Sequence, residues 1–111
     1  MHAYLIMAHK NLEQIKKLLK LLDYSQNDIY IHIDTKADDS IKFFDYTSCC
    51  TKSKVIQSSL FKSAWGSYSL VECELFLLRQ ATKNRKYDYY HLISGMDLPL
   101  KPQKEIHEIF D

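Results

Sequence analysis

Four short strand-like runs alternate with four helix-like segments along the chain, and this alternation restricts the fold more than any other feature. Ala3-Tyr4-Leu5-Ile6-Met7-Ala8 is continuously apolar, as a strand covered on both faces of a parallel sheet must be. Asn11 stands at an N-cap position with Gln14 three residues on, and Leu12, Ile15, Leu18, Leu19 and Leu22 recur at helical period. The pattern predicts a helix over 11–22, with Glu13, Lys16, Lys17 and Lys20 on its solvated face. Residues 28–34 read as a second strand, rich in β-branched and aromatic side chains. A weaker helical segment over 38–47 carries Ile41, Phe43 and Phe44, and 54–57 is a third strand. After Gly66 a long helix is predicted over 67–82; Leu70, Val71, Leu75, Leu78 and Ala81 form its stripe, and Phe76 and Leu77 widen it. Residues 87–93 make the fourth strand, 94–99 a loop, and Pro102 fits the first turn of a last helix ending near Phe110.

Strands that alternate with helices imply an α/β fold, a mostly parallel sheet joined by right-handed crossovers. The 111 residues suffice for one small domain, with no internal repeat or linker. Fifteen basic side chains stand against 14 acidic ones, so the net charge of +1 gives no support to broad electrostatic binding of nucleic acid or of an anionic membrane; a small local basic patch stays open. Cys49, Cys50 and Cys73 are odd in number and lack C-x-x-C spacing, which disfavours a disulfide scaffold or a zinc site and suits a reducing compartment. The start of the chain has no secretory pattern, and its longest apolar run is too short to span a bilayer. The expected location is cytoplasmic, or peripheral at a membrane.

In open α/β sheets, ligands bind beyond the carboxyl ends of the strands. Three of those ends are polar here: His9-Lys10, Asp34-Thr35-Lys36 and Ser94-Gly95-Met96-Asp97. The common phosphate cradles are missing, with neither G-x-G-x-x-G nor G-x-x-x-x-G-K-[ST], and no G-x-S-x-G elbow occurs. His32-x-Asp34 would put two metal ligands on one strand face, but His32 belongs mid-strand. A nucleotide held without a glycine cradle remains. Asp34 is placed to accept from a ribose hydroxyl or a base N–H, and Gly95 lets backbone approach a ligand, with Asp97 following in a loop stiffened by Pro99. Plainer roles compete. Asp34 can cap the next helix, Asp97 can brace its own loop, His9 can be a satisfied strand-end histidine, and Trp65-Gly66 can be a packing anchor rather than a sugar platform.

Four stretches, in order and covering almost the whole chain, resemble the start of the core-2/I-branching β1,6-N-acetylglucosaminyltransferase family, which also includes peptide xylosyltransferases and many bacterial members. They run from Ala3 to Lys10, from Ile31 to Lys36, from Ala64 to Val71 and from Leu92 to Lys101. The resemblance implies a GT-A-like, Rossmann-like nucleotide-binding fold. It implies a glycosyltransferase that moves a GlcNAc- or xylose-type sugar from a UDP-sugar to an acceptor hydroxyl with inversion. It also implies no metal and no other cofactor, since the family lacks the Asp-x-Asp metal motif, and none follows the fourth strand here.

Only donor-site positions carry over: His9, Asp34, Ser94, Gly95 and Asp97, with Trp65 a weaker candidate. The family's glutamate base and its diphosphate-binding basic side chains lie later than Asp111, so no catalytic residue is assigned in this chain. The reading is the N-terminal, nucleotide-sugar-binding part (1–111) of a bacterial-type glycosyltransferase domain acting on a glycan or lipid-linked glycan acceptor. The alternative is a non-catalytic UDP or UDP-sugar-binding module. An unrelated response-regulator-like domain is disfavoured because the first strand lacks an acidic cluster. A sheet ending after four strands leaves an edge through which self-association is expected.

Overall fold

The computed structural model describes residues 1–60 and 68–94, and among these the side chains of all but 68–71 and 94. The elements are β1 (His2–Ala8), α1 (Leu12–Leu22), β2 (Asn27–Ile33), α2 (Asp39–Lys42), a 3₁₀ turn (Tyr46–Cys49), β3 (Lys54–Ser58), α3 (Tyr68–Asn84) and β4 (Tyr89–Ser94). The four strands form one sheet in the order β3-β2-β1-β4; it is all-parallel, as the α/β alternation predicts, and consistent with the GT-A-like expectation. The first strand in sequence is therefore a central one. It pairs with β2 from His2↔Asn27 to Ala8↔Ile33 and with β4 from His2↔Tyr89 to Met7↔Ser94. That position explains why β1 is apolar on both faces: every residue from His2 to Ile6 is buried.

Helices cover both sides of the sheet. On one face the α1 stripe of Ile15, Leu18, Leu19 and Leu22, each fully buried, packs on Tyr4, Ile6, Ile29, Ile31 and Ile33. Burial of each such aliphatic side chain stabilises by about 1.5–3 kcal/mol. Asn11 caps α1, its Oδ1 accepting from the Gln14 N–H at 3.3 Å. On the other face α3 lays Cys73, Leu77 and Ala81 against Ala3, Leu5 and Tyr30. A hydrogen-bond chain fixes the end of α3. Asn84 donates to the Tyr30 hydroxyl at 2.7 Å, that hydroxyl meets the Tyr87 hydroxyl at 2.7 Å, and Tyr87 donates to Asp28 Oδ2 at 2.7 Å. Because the Tyr87 proton goes to the carboxylate, Tyr30 donates to Tyr87.

The sequence reading needs four corrections here. The helix expected over 38–47 ends at Lys42; the Gln57 side chain then takes hold of the chain, accepting from the Tyr46 N–H at 2.8 Å and donating to the Phe44 carbonyl at 3.0 Å. The inner face of α3 is Cys73, Leu77 and Ala81, spaced i, i+4, i+8, so Leu75 and Leu78 of the expected stripe are 45% and 39% exposed. Apolar residues fall all round that helix, and periodicity alone does not choose among them. The fourth strand begins at Tyr89, opposite His2 at the start of β1; Tyr87 precedes it and donates its hydroxyl to Asp28. Lys16, expected to be solvated, lies 4.8 Å from the Phe44 ring centre and 3.5 Å from Glu13 Oε1. The last helix expected after Pro102 lies outside the described residues.

Candidate functional site

The strand order places a topological switch between β1 and β4. From β1 the chain winds through α1 to β2 and on to β3; from β3 it crosses through α3 to the opposite side of β1. The chain thus leaves β1 toward α1 on one face of the sheet and reaches β4 from α3 on the other, and such a switch point is where open α/β sheets take ligands. His9 directly follows β1, and Ser94 closes β4 with its backbone in register with Met7. Asp34 follows β2 and stays laced to β1 through its N–H, which donates to the Ala8 carbonyl at 2.9 Å. Three of the six positions singled out in the sequence thus share one edge. Trp65, Gly95 and Asp97 lie outside the described residues.

His9 and Asp34 fall on the α3 face. Met7 and Tyr30, of the same pleat parity, pack into the α3 cluster, and the alternation of side chains carries on to His9 and Asp34. His9 is half-buried and Asp34 is 6% exposed. Asp34 does not cap α2, whose N-cap position is Asp38. It closes a turn instead: its Oδ1 accepts from the Lys36 N–H at 2.9 Å and its carbonyl from the Ala37 N–H at 2.9 Å. This brace sets the direction of the carboxylate before any ligand is considered.

Asn11 contributes a feature that periodicity did not flag. Its backbone is left-handed, with φ 64°, the sole positive-φ residue other than glycine among those described. Asparagine tolerates that conformation better than most residues, and it turns the chain sharply from β1 into α1 at the same edge. A Lys-Asn pair between a strand and a helix is the only sequence trace of it.

His32 completes the floor beneath Asp34. It is fully buried, meets Phe76 edge to face at 6.3 Å between ring centres, and accepts the Leu60 N–H at its Nε2 at 3.0 Å. An imidazole accepting at Nε2 carries its proton on Nδ1. Burial pulls its pKa below 6.5, and the negative charge of Asp34 only partly opposes this, so His32 is neutral at neutral pH. Its Nε2 is already engaged by backbone, which answers the question of a His32–Asp34 metal pair at that nitrogen. Among the described residues no group of three or more His, Cys, Asp or Glu side chains is placed to hold a metal ion. Cys73, under the same edge, is a packing group; burial, then the charges of Glu74 and Asp34, push its thiol up to about 11.

Comparison with known proteins adds two findings. The family model described as Core-2/I-Branching enzyme matches residues 2–111. A human β-1,3-galactosyl-O-glycosyl-glycoprotein β-1,6-N-acetylglucosaminyltransferase is 29% identical over 106 residues, covering 94% of this chain and 25% of that protein. A mouse N-acetyllactosaminide β-1,6-N-acetylglucosaminyl-transferase is 26% identical over 106 residues, covering 94% of this chain and 26% of its own. The chain spans about a quarter of the length of these relatives.

Proposed function

The chain belongs to the Core-2/I-Branching enzyme family, and on that premise we propose that it forms the donor-binding front part of a glycosyltransferase. The observation that carries this reading is the convergence of His9, Asp34 and the end of β4 at the β1/β4 switch point. The donor is a UDP-sugar of GlcNAc or xylose type, and the acceptor a hydroxyl of a glycan or lipid-linked glycan. Asp34 accepts from the nucleoside, and by resemblance to the family His9, Ser94, Gly95 and Asp97, with Trp65 a weaker candidate, belong to the same donor site. Inversion at the sugar carbon requires a base at the acceptor hydroxyl, and departure of the diphosphate requires counter-charge. No residue of this chain is put forward for either role. The reading needs no metal.

Calorimetry with UDP, UDP-GlcNAc and UDP-xylose tests it. Binding of UDP and of one UDP-sugar is expected, and weakening by at least tenfold in Asp34→Ala, the loss of one charge-assisted hydrogen bond. Absence of binding to all three sinks the proposal. Undiminished affinity in Asp34→Ala moves the nucleotide elsewhere. Binding by a chain that neither hydrolyses nor transfers the donor favours a non-catalytic binding module.

A further inference from the structure

The charges of this chain nearly cancel, yet basic side chains outnumber acidic ones toward one edge of the sheet. Among the described residues, Lys52 and Lys54 at the start of β3, Arg79 and Lys83 in the last turns of α3, and Arg85 and Lys86 just after it gather toward the amino edge of the sheet. Lys54 is in register with Asp28, which Arg85 approaches to 4.0 Å, so the two segments meet. Three carboxylates share that edge, and all are engaged internally. Asp23 accepts from the N–H groups of Thr51, Lys52 and Ser53 at 2.8–2.9 Å, Asp28 is bonded to Tyr87, and Asp88 lies 2.9 Å from the Met1 amino group. The basic groups other than Arg85 form no ion pair among the described residues. At the opposite edge Asp34, Asp38 and Asp39 beyond β2, and Glu72 and Glu74 in the early turns of α3, outnumber Lys10, Lys36 and Lys42.

Apolar side chains adjoin the basic end. Leu75 and Leu78 on α3 are 45% and 39% exposed, and Tyr90 at the start of β4 is 37% exposed. At 3.6 residues per turn Leu75, Leu78, Arg79 and Lys83 share the outward side of α3. We infer that this outward side of α3 and the adjoining amino edge dock on an anionic lipid surface. A bilayer interface takes both components, anionic headgroups for the lysines and arginines and the acyl boundary for the leucines and Tyr90. A soluble polyanion would satisfy the charges and leave the apolar groups in water. The lysines and arginines of this contact sit toward the opposite edge from the proposed donor site, about 20 Å away along a strand of seven residues. The inference does not depend on what that site binds.

Flotation of the full 111-residue chain with vesicles is the test. Association is expected with equimolar phosphatidylcholine–phosphatidylglycerol vesicles and not with phosphatidylcholine alone, and it should be reversed by salt. Lys83→Ala combined with Lys86→Ala should weaken it about 25-fold, roughly fivefold for each charge near the surface. Leu75→Ser with Leu78→Ser should weaken vesicle association and leave elution from heparin unchanged. Both residue pairs are exposed, so the variants should melt like the parent. Equal binding to the neutral vesicles, an undiminished double-lysine variant, or full vesicle binding by the serine variant each overturns the inference; the last assigns the surface to a soluble polyanion.

Discussion

Replacing Tyr87 by phenylalanine removes a single oxygen from the chain of bonds Asn84–Tyr30–Tyr87–Asp28, and the loss should be large for so small a change. Tyr87 is 5% exposed and Asp28 6%. The deleted O–H donates to a carboxylate at 2.7 Å, and a hydrogen bond to a charged group contributes about 1.5–3 kcal/mol. The Tyr30 hydroxyl, fully buried, loses its acceptor at the same time, which adds about 1 kcal/mol. Arg85 is half exposed and 4.0 Å from Asp28, too far to take over the bond. The expected cost is about 3 kcal/mol, or a fall in Tm of roughly 12–20 °C for a chain of this size. Urea unfolding followed by circular dichroism measures it. In a cycle with Asp28→Asn the double variant should lose less than the two singles together, since both remove the same bond. A cost for Tyr87→Phe under about 1 kcal/mol, or strict additivity, would refute the view that this network fixes α3. Alkali gives a second reading. Burial first, then the bond to Asp28, hold the Tyr87 phenol protonated well above its ordinary value of 10.0. Its stabilisation is thus fully present below about pH 10 and is lost as pH rises above that.

Two further predictions concern caps. Asp23→Asn should lower stability by about 1–2 kcal/mol in urea, because three backbone N–H donors converge on this carboxylate. Although burial opposes it, those bonds hold Asp23 below 3.8, so its contribution is present above that pH and fades as acid takes the solution through the lower folded value. An acid-unfolding midpoint identical in parent and variant would contradict this. Asn11→Ala should cost about 1–2 kcal/mol, losing both the cap and a residue suited to φ 64°, whereas Asn11→Gly should cost only a few tenths. Equal losses in the two variants would show that the turn conformation has no energetic weight.

The layout of strands and helices was legible because each element carries its own local period. Ala3 to Ala8 reads as a doubly covered strand from composition alone, and the α1 stripe from spacing alone. What escaped depends on partners distant in sequence. Nothing near Phe43 and Phe44 announces that Gln57 will pull the chain out of helix, and nothing near Tyr87 announces Asp28, 59 residues away. Strand order escaped for the same reason: alternation fixes parallel pairing and crossover hand, but not on which side of β1 the fourth strand lands. The edge carrying His9, Asp34 and Ser94 was legible through the rule that ligands sit beyond strand ends. The turn that Asp34 closes was not, since an aspartate after a strand is equally suited to capping, bracing or binding.

The central place of β1 also bears on how the molecule is made. The strand that meets β2 after one short crossover must wait for β4 to cover its other side, and His2 finds Tyr89 only across most of the chain. Local closure of β1, α1 and β2 is fast, while pairing of segments so far apart carries a heavy entropic toll and limits the rate. During synthesis the hydrogen-bonding edge of β1 stays open until the last described strand emerges. The interval between those two events is when a neighbouring nascent chain can pair with that edge. Slowing the emergence of β4 should therefore raise aggregation, even though the finished fold buries β1 almost completely.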